Sequence, residues 1–141
     1  MNVIGKWKIL KLGITEPGVL QIKLVTHEEI AANERIDEDI REEYMRNASC
    51  LMEFLPDGTL RTLFPIPEGM EEAAKEDGME IVGNHAVIES TQWKEVDGNI
   101  LVNLKIEGEV LGDKVDPFSP IEIVDDDHII YNMGLVLLER I

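Results

Sequence analysis

Asp97-Gly98 and Pro56-Asp57-Gly58 each lie between two runs in which apolar and polar residues alternate. At Asp97-Gly98 the Asp-Gly pair supplies the positive φ angles that a two-residue turn needs, and Pro56-Asp57-Gly58 reads as a tight turn, so each site folds its flanking runs into an antiparallel hairpin. Alternation with period two marks those runs as strands with one buried face. The hairpin turning at Asp97-Gly98, residues 85–96 with 99–107, is the clearest in the chain, and Ile100, Val102, Leu104 and Ile106 form its apolar face. Residues 48–55 and 59–66 form the other. There Cys50, Met52 and Phe54 share one side while Leu51, Glu53 and Leu55 share the opposite one, so alternation leaves the inward face open.

The same pattern extends to both ends. Residues 3–12 place Val3, Gly5, Trp7 and Ile9 on one face and Lys6 and Lys8 on the other, and residues 19–26 alternate with Leu20, Ile22 and Leu24 together. Residues 121–124, 128–132 and 135–141 are three further short strands, and 108–120 is a turn region made irregular by Pro117 and Pro120. Two stretches break the period. Thr26 with Glu29 is a capping-box signal, followed by Ala32, Ile36, Ile40 and Tyr44 at four-residue spacing. That spacing predicts one amphipathic helix, or two short ones broken around Ile36-Asp37, with four-apart pairs Asp37 to Arg41 and Glu42 to Arg46. A second short helix is expected within 68–77, ended by Gly78. The expected fold is mainly β: an antiparallel up-and-down barrel of eight to ten strands with one or two short peripheral helices, formed by residues 1–141 as one domain.

Charge narrows the partners. The chain of 141 residues carries 13 basic and 29 acidic side chains, a formal net charge of −16. Such a field repels phosphate backbones and anionic lipid, so neither nucleic acid nor a membrane is expected as a partner. No run approaches the roughly 20 apolar residues of a membrane span. The single cysteine, Cys50, excludes an internal disulfide and agrees with a reducing compartment, so a cytoplasmic location is expected. Composition is silent on oligomeric state.

Gly5 and Trp7 lie two residues apart on one strand face, and Arg140 stands near the end of the last strand. Glycine leaves room for a close approach, and an Arg side chain lies flat over an indole with its head in water. A Gly-x-Trp near the start of the first strand with an Arg near the end of the last resembles the way lipocalins and fatty-acid-binding proteins, together the calycins, close one end of their barrel. The resemblance implies a barrel closed by Gly5, Trp7 and Arg140 that binds a small apolar ligand inside. It stops there. In fatty-acid-binding proteins the helices follow the first strand directly, whereas here a second strand intervenes, and no Arg-x-Tyr pair lies near the C-terminus to hold a carboxylate. The Thr-Asp-Tyr motif of secreted lipocalins is absent.

Chemistry-bearing residues are sparse. His27, His85 and His128 lack metal-ligand spacing, and Asp125-Asp126-Asp127 lacks the spacing of a calcium loop, so no metal and no cofactor is expected. Some calycin-like barrels hold haem through one histidine, but His128 follows three aspartates and reads as an exposed turn. Glu53, Arg61 and Glu89 are the candidate ligand-binding residues, because each lies in an expected strand and alternation can turn it inward; no catalytic residue is assigned. Three functions follow from this reading: a barrel binding a small apolar ligand, a small calycin-like enzyme acting on an organic acid, or a filled barrel used for protein interaction. In the first, residues 68–77 are expected to cover the entrance.

Overall fold

Each hairpin turn lays one strand beside the last, and the result is a nearly closed antiparallel barrel in the computed structural model, which describes residues 2–131 and 134–141. The chain begins with β1 (Gly5–Ile14), β2 (Lys23–Val25), α1 (His27–Ala31) and α2 (Glu38–Ala48). β3 (Leu51–Phe54), β4 (Thr59–Pro65), α3 (Glu71–Glu76), β5 (Ile81–Val82), β6 (His85–Val96) and β7 (Asn99–Asn103) follow. The last third holds β8 (Glu109–Val110), β9 (Asp113–Lys114), β10 (Phe118–Pro120), β11 (Glu122–Asp125), β12 (His128–Tyr131) and β13 (Val136–Arg140). The main sheet runs β10-β7-β6-β4-β3-β1-β13-β12-β11, with β2 beside β1 and β5 beside β6. β10 and β11 are separated only by Ile121, whose N–H donates to the Ile100 carbonyl at 3.0 Å. One run therefore pairs with β7 through its first half and with β12 through its second. Counted as one, it brings the circuit to eight strands: β1, β3, β4, β6, β7, β10 with β11, β12 and β13.

β1 is the seam where the two ends of the chain meet. It pairs with β3, setting Trp7 opposite Met52, and with β13, setting Trp7 opposite Arg140. Inward residues from across the circuit form one core with Trp7: Val3, Met52, Phe54, Leu60, Ile100, Val102, Ile129, Val136 and Leu138 are all buried. This settles the first hairpin's faces, because Met52 and Phe54 point in while Glu53 and Arg61 point out. At the far end of β1, Ile14 joins Val25, Ile30 and Ile36 in a second, smaller core built on the helices. Leu12 contacts both cores.

The helical stretch is two helices, with Thr26 capping the first: its hydroxyl accepts from the Glu29 N–H at 3.2 Å. Arg41 and Asp37 do not form the expected four-apart pair. Arg41 instead reaches back, donating to the carbonyls of Ala31 at 3.5 Å and Ile36 at 3.4 Å. The Ala31 carbonyl is one of those left without an intrahelical partner at the end of α1, where a cation is favourable. Together with α3, which falls within the span 68–77, the described residues form three short helices. Among the described residues no helix is long and apolar enough to cross a membrane.

Several strand limits differ from expectation. Within 19–26 only Lys23–Val25 is a strand, since it has partners only along Leu12–Ile14, and Leu20 stands fully exposed. The strand expected over 99–107 stops at Asn103, because the Asn103 side chain accepts the Lys105 N–H at 2.8 Å and Lys105 turns to a φ of 57°. The turn region 108–120 contains the small β8–β9 hairpin and β10. Ala48, expected in a strand, closes α2, and Cys50 is buried at the junction behind it. The expected end of β12 at Asn132 lies outside the described residues.

Candidate functional site

The two ends of the barrel are built differently. At the end where the chain starts, Trp7 is fully buried and its indole N–H donates to the Val3 carbonyl at 2.9 Å. The Arg140 guanidinium lies 4.3 Å from the centre of the Trp7 ring and donates to the Asn2 carbonyl at 2.7 Å. Gly5 has a φ of 130°, a region open to glycine, and a side-chain carbon there would sit 3.9 Å from the guanidinium.

Toward the other end a cavity of about 130 Å³ opens. Its apolar wall is Met52, Leu60, Val102 and Leu104, and its polar wall is Thr62, Glu89, Thr91, Asn103 and Tyr131. The register explains the polar half. Leu60 pairs with Thr91 and Thr62 with Glu89, so each neighbouring pair shares one face and the inward row changes from apolar to polar along β4 and β6. The Thr91 hydroxyl is spent on the Asn103 carbonyl at 2.7 Å. The hydroxyls of Thr62 and Tyr131 both point at the Met52 sulfur, at 3.4 and 3.9 Å. Burial, with the nearby Glu89 charge in second place, pushes the Tyr131 phenol up to about 12, so it remains a neutral donor at physiological pH. Glu89 stands at the rim, with Lys105 3.5 Å away and more than half of each side chain exposed.

The three candidate residues separate. Glu89 lines the cavity, whereas Glu53 and Arg61 lie on the outer face, joined at 2.6 Å and bridged by Arg61 to Glu80 at 3.4 Å. No residue of 68–77 lines the cavity. Over that span Met70, Ala73, Ala74 and Asp77 instead border a separate groove beside Phe64, Ala86 and Ile88. Thr62, Thr91 and Tyr131 escaped the sequence reading, although hydroxyl residues interrupting inward apolar rows at 60–62 and 91–93 are a signal once the inward face is known.

His128 forms a second polar cluster, on the outer surface. Its ring nitrogens lie 2.8 Å from Asp125 and 2.9 Å from Glu139, and Lys8 reaches Glu139 at 3.0 Å. Hydrogen bonding to Asp125 and then to Glu139 raises the His128 pKa, and the bonds from His128 and then from the Asp127 N–H hold the Asp125 carboxyl low. Lys8 first and His128 second lower that of Glu139. The row crosses four strands, β1, β13, β12 and β11, as cross-strand neighbours. Compared with family models, curated proteins and solved structures, the chain finds no match.

Proposed function

We propose that this protein is a calycin-like binding barrel that takes one small, largely apolar ligand into the cavity between Met52 and Tyr131. The observation that carries the reading is the asymmetry of the barrel: one end is filled by Trp7 beneath Arg140, and the other keeps a partly open space with Met52, Leu60, Val102 and Leu104 on its apolar side. Gly5, Trp7 and Arg140 support the calycin part of the reading. At about 130 Å³ the space is near that of an engineered cavity of about 150 Å³ that holds benzene. It is well below the roughly 300 Å³ at which drug-sized sites begin. A single six-membered ring fits it and a long acyl chain does not. A buried, unpaired Cys50 supports a reducing, cytoplasmic setting.

The enzyme reading is the less favoured one, because Arg61 and Glu53 pair with each other outside the barrel and Glu89 stands at the cavity rim facing Lys105. An interaction role draws on the fully exposed Leu20 and Leu111 at loop tips. Titrating the labelled protein with a panel of six-membered-ring compounds, followed by amide and methyl NMR, decides between them. Saturable shifts at Met52, Leu60 and Tyr131 are expected. If no compound in the panel produces them, the barrel is a filled one and the binding reading falls.

A further inference from the structure

We infer that the cavity selects a compact ring compound carrying a neutral hydrogen-bond acceptor, such as a ketone, over both a plain hydrocarbon and a carboxylate; this rests on the binding reading above. Two hydroxyl donors, on Thr62 and Tyr131, reach the cavity wall and share one acceptor, the Met52 sulfur. A thioether is a weak acceptor, so both donors keep most of their hydrogen-bonding capacity, and one carbonyl oxygen satisfies it better. The phenol stays protonated through the physiological range, because burial and the Glu89 charge raise its pKa. Tyr131 is therefore a neutral O–H donor for an acceptor in the cavity.

Charge excludes the anion. Glu89 is the one charged side chain among the described residues that line the cavity. The nearest guanidinium on these strands, that of Arg61, is held outside between Glu53 and Glu80. The cation at the rim, Lys105, is half exposed and already faces Glu89 at 3.5 Å, so a carboxylate entering the cavity gives up water without gaining a buried cation, which is unfavourable. The apolar floor of Leu60, Val102 and Leu104 takes the ring.

The test compares cyclohexanone, toluene and cyclohexanecarboxylate, each titrated into the intact protein and followed by NMR. Cyclohexanone is expected to bind roughly three- to tenfold tighter than toluene, the worth of one hydrogen bond, and the carboxylate more weakly than either. Tyr131→Phe and Thr62→Val keep shape and remove one donor each. Each should narrow the preference for cyclohexanone, and the pair of substitutions together should erase it while toluene still binds. The Thr62 variant carries the test if Tyr131→Phe disturbs the fold. Equal binding of cyclohexanone and toluene, a preference that survives loss of both hydroxyls, or tightest binding of the carboxylate overturns this inference but leaves a binding barrel. Failure of all three to bind overturns the inference and the binding reading together.

Discussion

Removing the charged head of Arg140 while keeping an apolar stem, as in Arg140→Met, isolates what the cation contributes above Trp7. The guanidinium carbon lies 4.3 Å from the ring centre, inside the roughly 6 Å over which a cation is held by an indole face. The Arg140 side chain is 29% exposed, between the surface and desolvated cases. Its coupling to the ring should therefore be about 1 kcal/mol. Loss of the bond to the Asn2 carbonyl adds about another 1–2 kcal/mol that does not depend on Trp7. Trp7→Leu keeps part of the core filled and costs several kcal/mol on its own, by analogy with the about 3–5 kcal/mol of a truncation to Ala. Urea unfolding of the four proteins, followed by circular dichroism so that loss of the indole does not alter the signal, yields the cycle. The double variant should be about 1 kcal/mol more stable than the sum of the single effects predicts. Additivity to within about 0.3 kcal/mol would refute the claim that ring and cation stabilise one another.

Gly13→Ala should destabilise by about 1–3 kcal/mol in the same assay, because the new carbon would lie 2.9 Å from Ile22 and 3.2 Å from the Leu135 carbonyl, which is backbone and cannot swing aside. The His128 cluster sets a pH dependence. Its raised pKa contributes stability that is fully present below the ordinary histidine value of 6.5 and is lost as pH rises through the folded value. The lowered pKa values of Asp125 and Glu139 contribute stability that is present above their ordinary 3.8 and 4.5 and is lost on acidification through the folded values. Unfolding midpoints measured from about pH 5 to about pH 8 should fall toward the alkaline side, and His128→Gln should flatten that fall. Amide exchange across Glu71–Glu76 should be fast, since the helix buries none of its residues, and a ligand in the cavity should leave it unchanged because no residue of 68–77 lines that space.

Local rules made much of the architecture legible. Asp97 and Gly98 adopt the positive φ angles of a hairpin turn, at 51° and 82°, because few residue pairs other than Asp-Gly tolerate them, and β6 spans His85–Val96 as read from alternation. Thr26 with Glu29 likewise marked a helix start that depends only on residues three apart. Trp7 and Arg140 stand at opposite ends of the sequence, yet their types alone suggested contact.

Other features depended on partners the local pattern does not name. In the first hairpin both faces carry apolar residues, so only the pairing of Trp7 with Met52 turned Met52 inward and sent Glu53 and Arg61 to the outer surface. Leu20 and Ile22 alternate like strand residues but lie where no neighbouring strand extends, and a strand without a partner leaves its backbone groups to water. Thr62, Thr91 and Tyr131 became a polar wall only when three strands were set in register. The amino-acid sequence by itself determined the turns, the helix cap and the antiparallel barrel, because these follow from backbone sterics and period-two burial. Tertiary structure decided which face looked inward and where the cavity lay, because a shift of one residue between neighbouring strands exchanges the two faces without changing any local preference.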